Sequence, residues 1–219
     1  MTEIDDALTI VIPTIGRSSL EATLDSIACQ IEMFDQVFVI GDGTYPETRK
    51  LVQKYGIQYG YFELKDGPHH DWGATARNFG IEIAKKAYIA FMDDDDRYLP
   101  GAFKCIKTAI QTFPGHPFMF RMLHEREILW KTNELCIGNV SSQMVVVPNI
   151  QAKLGRFSER YDGNFDFIRS TADFYFPDYN PFIWCEDIIS VLFKVNGKPD
   201  ENPISIVELP PDLGNVHRD

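Results

Sequence analysis

The 219-residue chain has no long apolar run. Its continuous hydrophobic stretches, such as residues 87–92 and 144–147, are far shorter than the roughly 20 residues that cross a bilayer. No membrane span is expected, and the chain reads as soluble. A cationic leader is missing too: Met1 is followed by Glu3, Asp5 and Asp6, unlike the basic start of a signal peptide. Cysteine is sparse and dispersed. Cys29, Cys105, Cys136 and Cys185 form no CxxC pair, which argues against a zinc knuckle or a redox motif and fits reduced thiols in the cytoplasm. Positive charge is the minority sign, with 21 Lys+Arg against 32 Asp+Glu, a formal net charge of −11 and a pI near 4.9. Nucleic acid is therefore not an expected partner. A phosphorylated ligand meets a like-charged body and needs local basic groups, helix N-termini or a divalent cation.

What is present is a sizeable core: 44% of residues are hydrophobic and 13% aromatic, enough for one large α/β domain. Leu8-Thr9-Ile10-Val11-Ile12 ends at Pro13 and reads as a buried strand, followed by a helix with Leu20, Leu24 and Ile27 at helical spacing. A second run, Val37-Phe38-Val39-Ile40, stops at Gly41-Asp42-Gly43 and precedes a helix over residues 47–55. A third strand is expected within 57–64, then a Gly/Pro/His loop over 65–73 and a helix over about 75–85. Tyr88-Ile89-Ala90-Phe91-Met92 then runs into four aspartates. This alternation predicts a mostly parallel sheet with helices on both faces and ligands at the carboxyl ends of the strands. The second half is less regular. It suggests a helix over about 101–113, strands near 118–123 and 144–147, a helix over 165–175 and a Pro-rich tail from 198, with no second domain.

Asp93-Asp94-Asp95-Asp96 directly follows five apolar residues. Adjacent carboxylates at a strand end repel one another unless they are solvated or bind a cation. Residues two apart in an extended segment share a side roughly 6–7 Å apart, so Asp93 and Asp95 pair, Asp96 joins them through a turn, and Asp94 faces away and is expected to matter least. Oxygen-only ligation suits Mn²⁺ or Mg²⁺; the Gly and distal Glu of an EF-hand are missing. His69 and His70 read as solvated loop residues.

Several segments, in order, resemble the family 2 glycosyltransferases of the GT-A fold. Val11-Ile12-Pro13-Thr14 with Arg17 and Leu20 looks like that family's opening strand. Ile40-Gly41-Asp42-Gly43-Thr44 is similar to its Asp-Asp-Gly-Ser turn, with Gly41 in place of the first Asp. Gly73-Ala74-Thr75-Ala76-Arg77-Asn78-Phe79-Gly80 resembles its Gly-x-x-x-Ala-Arg-Asn-x-Gly segment, and residues 92–96 its Leu-Asp-x-Asp-Asp signature. The two last matches lie one βα unit apart.

The resemblance implies a single GT-A (Rossmann-like) domain over 1–219, with a nucleotide-sugar half over about 1–100, an acceptor half over about 101–197 and a tail over 198–219. It implies metal-dependent, inverting transfer of a sugar from a nucleoside diphosphate sugar, with a UDP-sugar favoured. The acceptor is a saccharide, lipid-linked glycan, protein or small molecule. Pro13, Thr14, Arg17, Asp42, Arg77, Asp93, Asp94 and Asp95 are the expected donor contacts. Asp93, Asp95, Asp96 and His217 are the expected ligands of Mn²⁺ or Mg²⁺. For the general base there are two candidates. Asp166 follows the Gly155-to-Gly163 segment and precedes Asp187 in the preference order; Asp187 lies in an intact Glu-Asp pair flanked by apolar residues that would also suit an edge strand. A nucleotidyltransferase and a non-catalytic nucleotide-sugar-binding module are the rival readings, and a homo-oligomer is left open.

Overall fold

The computed structural model describes residues 5–125, 127–175, 180–192, 194–195 and 198–199. Strand β1 (Leu8–Thr14), helix α1 (Leu20–Ala28), β2 (Gln36–Gly41), α2 (Pro46–Gln53) and β3 (Tyr59–Glu63) follow the expected alternation. Pro46 opens α2 at a position where its missing N–H costs nothing. After the loop come α3 (Ala74–Ile83) and β4 (Tyr88–Phe91). Helix α3 stops two residues earlier than expected because Ala84 turns extended, with φ −60° and ψ 136°.

These four strands pair in parallel in the order β3-β2-β1-β4. Glycine is required at position 80: a Cβ there would sit 2.3 Å from Val11 Cγ1, so its absence lets α3 lie directly on β1. The alternation of side chains across the strands feeds two cores. Val11, Phe38, Ile40, Ile89 and Phe91 face α3 on one side. Ile10, Ile12, Val37, Val39 and Ala90 face α1 and α2 on the other.

The remainder comprises β5 (Asp96–Tyr98), α4 (Ala102–Thr112), β6 (Phe118–His124), β7 (Glu127–Leu129), β8 (Val145–Pro148), α5 (Gly163–Tyr175) and β9 (Ile183–Leu192). Two short strands, β10 (Lys194–Val195) and β11 (Lys198–Pro199), pair antiparallel. The sheet continues from β4 as β8-β6-β9-β5, with β7 paired to β6. Here the sheet becomes mixed: β8 is antiparallel to both β4 and β6, β9 is parallel to β6, and β5 is antiparallel to β9. The physical reason for the antiparallel β6–β8 pair lies in their connection. It holds a hairpin strand and a 3₁₀ turn at Ser142–Met144 but no α-helix, and parallel neighbours need a crossover, usually helical, to return the chain. Helix α5 joins α3 on the first face through Phe167, Ile168 and Ala172. Helix α4 joins α1 on the second through Phe103, Ile106 and Ile110. Most of the expected Pro-rich tail lies outside the described residues.

Candidate active site

Parallel pairing places the carboxyl ends of β2, β1 and β4 side by side, with Thr14 opposite Gly41 and Val11 opposite Phe91. The polar residues that stop these strands therefore converge. Together they line a cavity of about 810 Å³, and all eight expected donor contacts lie on its wall: Pro13, Thr14, Arg17, Asp42, Arg77, Asp93, Asp94 and Asp95. A second cavity of about 480 Å³ adjoins it and shares Asp71, Trp72, Arg77, Asp93 and Tyr161 with the first.

The four aspartates separate into roles. Asp93, Asp95 and Asp96 each bring a carboxylate oxygen within 4.8 Å of the other two. An all-oxygen set this tight fits a small divalent cation. Gln143, in the 3₁₀ turn before β8, draws two of them together: its Nε2 donates to Asp93 Oδ2 at 2.9 Å and to Asp96 Oδ2 at 2.7 Å. Asp94 points away from this group, as the spacing requires, yet it is not idle. It accepts from Thr14 Oγ1 at 2.7 Å and from Arg17 Nη1 at 2.8 Å, tying the end of β1 to the acidic loop. Burial raises its pKa, against the opposing pull of Thr14 and Arg17. The same Arg17 nitrogen lies 2.6 Å from Asp95 Oδ2. Burial works against the Arg17 charge, but Asp94 and Asp95 outweigh it and hold the guanidinium above its ordinary value.

Arg77 is only 4% exposed. Its Nη2 donates to Asp93 and its Nη1 to the Trp72 carbonyl, the latter at 2.8 Å, while the guanidinium lies 5.3 Å from the centroid of the Phe157 ring. Arg77 is thus a fixing point for the acidic group and for the loop before α3. Asp71 anchors that loop from the other side, accepting from the Gly73 amide at 3.0 Å and the Thr75 amide at 2.7 Å, in the manner of a helix cap. Asp42 receives the His69 amide at 3.0 Å and faces His69 Nδ1 at 2.5 Å, so His69 is a structural partner and not merely a solvated loop residue.

The two candidate bases part company. Asp166 lies in the first turn of α5, held by Ser158 Oγ and by Arg160 Nη2 at 2.5 Å. Ser158 and Arg160 line the second cavity, so Asp166 stands one side chain behind its wall. The Ser158 hydrogen bond, followed by burial in the opposite sense and by Arg160, leaves its pKa below the ordinary carboxylate value. Asp187 is exposed in β9, where the pairing slips between Trp184 and Ile188, and it neighbours Cys105 of α4. It lines neither cavity. His217 lies outside the described residues.

Sequence reasoning missed Gln143, Asp71, Trp72 and Tyr161. Only Asp71 left a local trace, as an acidic residue just ahead of a helix start.

A parallel β3-β2-β1-β4 core with a cavity of small-molecule size at its carboxyl edge, continued by a mixed sheet and bordered by an acidic strand end, has the GT-A fold. The chain belongs to glycosyl transferase family 2, whose sequence profile matches residues 9–167. Asp166 falls inside that match and Asp187 outside it. The fold superposes on Staphylococcus aureus TarS with a TM-score of 0.69 over 84% of this chain and 36% of that one, at 16% identity. A TarS fragment in complex with UDP-GlcNAc gives 0.67 over 88% of this chain and 60% of that one, at 17% identity. An uncharacterized glycosyltransferase of Mycoplasma pneumoniae is 35% identical over 101 residues, 44% of this chain and 33% of that one. The GalNAc(5)-diNAcBac-PP-undecaprenol beta-1,3-glucosyltransferase of Campylobacter jejuni is 27% identical over 121 residues, 51% of this chain and 37% of that one. The chain thus spans about a third of the length of these two relatives.

Proposed function

We propose that the chain transfers a sugar from a nucleoside diphosphate sugar, favouring UDP, to an acceptor hydroxyl with inversion at the anomeric carbon. The observation that carries this reading is the single cavity bordered by all eight residues expected to contact the donor, with Asp93 and Asp95 on its wall and Asp96 buried within reach of both. Solved structures of the similarly folded TarS with UDP and with UDP-GlcNAc support a nucleotide-sugar donor. A Mn²⁺ or Mg²⁺ ion held by Asp93, Asp95 and Asp96 would neutralise the diphosphate leaving group. The chain's own residues do the remaining work. Asp42 and Pro13-Thr14 receive the nucleoside, Arg17 offsets the acidic loop next to the phosphates, and Arg77 with Gln143 fixes Asp93. Asp166 is the general base that takes the acceptor proton; Ser158 and Arg160 keep it anionic, the state from which a base must start.

No observation favours nucleotidyl transfer, whose usual glycine-rich, basic loop is missing: residues 12–20 offer one glycine, Gly16, and one arginine, Arg17. The cytoplasm is the compartment proposed, on four free cysteines and on the lack, among the described residues, of a helix long and apolar enough to cross a membrane.

Thermal unfolding with UDP, UDP-sugars and Mn²⁺ tests the donor half. A ligand at 100 times its Kd adds about 2.7 kcal/mol, or roughly 5–10 °C for a domain of this size. Asp95→Ala is expected to lose the metal-dependent part of that shift and to abolish transfer. Undiminished transfer in excess chelator would remove the metal from the scheme, and binding without turnover across an acceptor panel would leave a non-catalytic module.

A further inference from the structure

Trp72 and Tyr161 stand at the junction of the two cavities and line both. Their rings meet edge to face, with centroids 5.2 Å apart and planes at 86°. They are 64% and 80% exposed, so this pair is not a core contact. Scattered exposed aromatics need no explanation, but Trp72 is also strained. Its φ is +61°, a left-handed conformation that is costly for a bulky side chain. That conformation is held from both sides: the buried Arg77 grips the Trp72 carbonyl at 2.8 Å, and Asp71 captures the amides of Gly73 and Thr75. The same Arg77 donates to Asp93. The backbone that carries the indole is therefore fixed relative to the acidic group, while the ring stays open to ligand.

The smaller cavity supplies the complementary chemistry. Arg160, Asp162, Asn164 and Glu127 place charged and amide groups on its wall beside the aromatic pair. A pyranose is amphipathic in the same way: its axial C–H groups form an apolar face that the negative face of an aromatic ring attracts, and its hydroxyls meet planar carboxylate, amide and guanidinium groups at its edge. We propose that Trp72 and Tyr161 form the acceptor platform, and that the acceptor is a saccharide whose pyranose ring packs on this pair. The inference rests on the donor reading above, since it assigns the smaller cavity to the second substrate. Trp72 and Tyr161 are specificity-determining residues here, and an acceptor presenting only a peptide or an acyl chain does not use them.

Saturation-transfer NMR with the methyl β-glycosides of glucose, galactose and N-acetylglucosamine, each with and without UDP and Mn²⁺, tests this. UDP binding is measured in parallel by calorimetry. At least one glycoside is expected to bind the wild-type chain through its ring C–H protons. Trp72→Gly, which suits the left-handed backbone, and Tyr161→Ala, at an exposed position, are each expected to weaken that binding by about tenfold, whereas Trp72→Phe restores most of it. Because both rings also border the larger cavity, UDP affinity is expected to fall too, but by less than the glycoside affinity in each variant. Normal UDP binding with no glycoside signal, or with a signal unchanged in both ring deletions, overturns the platform alone. Failure of the wild-type chain to bind UDP or any UDP-sugar overturns the donor reading beneath it.

Discussion

Asn78 grips the Phe157 backbone in both directions: its Nδ2 donates to the Phe157 carbonyl and its Oδ1 accepts from the Phe157 amide, each at 2.9 Å. One amide thereby fastens α3 to the segment that leads into α5. Phe157 passes the restraint on, because its ring stacks on Phe167 with centroids 4.4 Å apart and planes only 4° from parallel. Asn78→Ala leaves two backbone groups short of partners and is expected to lower unfolding free energy by about 1–3 kcal/mol in urea titrations. A change below about 0.5 kcal/mol, the usual scatter of surface substitutions, would show that water replaces the side chain without loss.

Arg77→Lys keeps the charge but removes the planar fork that reaches Asp93 and Trp72 together. Displacing Asp93 by about 1 Å is enough to reduce turnover on the order of 100-fold. The expected result is a fall in kcat with UDP affinity, measured without metal, little altered. Equal losses in both would mean that Arg77 contacts the nucleotide directly.

The His69–Asp42 pair gives the chain a basic-side pH dependence. Hydrogen bonding to Asp42 raises the imidazole above its usual 6.5, with burial opposing and the Asp42 and Asp66 charges adding. A raised histidine contributes its full stabilisation below the unfolded value and loses it as pH rises through the folded one. Stability should therefore decline between pH 6.5 and the raised pKa, and the decline should vanish in His69→Gln. Proton NMR of the imidazole gives the titration directly, and a midpoint at or below the ordinary value refutes the pairing.

Asp166 works in the opposite sense. Its depressed pKa means that the stability it adds is present above the unfolded value of about 3.9 and is lost as pH falls through the lower folded value. As the base, it should leave kcat/KM flat on the acid side down to about pH 4. Ser158→Ala removes the largest stabilising contact of the anion and should shift the acid limb upward. An acid limb unmoved by Ser158→Ala would take Asp166 out of the base role, and Asp187→Asn, remote from both cavities, should leave the profile unaltered.

The donor half was legible in the chain because β1, β2 and β4 are buried apolar runs that end at or beside Pro, Gly or Asp. Pro13, Asp42 and Asp93 could be assigned to strand ends, and the parallel fold then brings adjacent strand ends together. The second half was harder for equally physical reasons. Strands β5 and β7 hold three residues each, too few for periodicity to register. Strand β9 includes Glu186 and Asp187 on an exposed stretch, which masks its length. Gln143 is 47 residues from Asp96 along the chain, and nothing local to a glutamine in a 3₁₀ turn marks it as the clasp of two distant carboxylates. Trp72 and Tyr161, far apart along the chain, meet only through tertiary folding.

The central strand β4 has neighbours that lie far apart along the chain: β1 at Leu8–Thr14 and β8 at Val145–Pro148. On a ribosome, which adds about 5–20 residues per second, the nucleotide half is complete for a time on the order of seconds before β8 emerges. Throughout that interval the β8-facing edge of β4 offers the backbone groups that later pair with β8, a template for pairing with another nascent chain. Pairing with Val145–Pro148 closes that edge, and the turn just before the same strand delivers Gln143 to the aspartates.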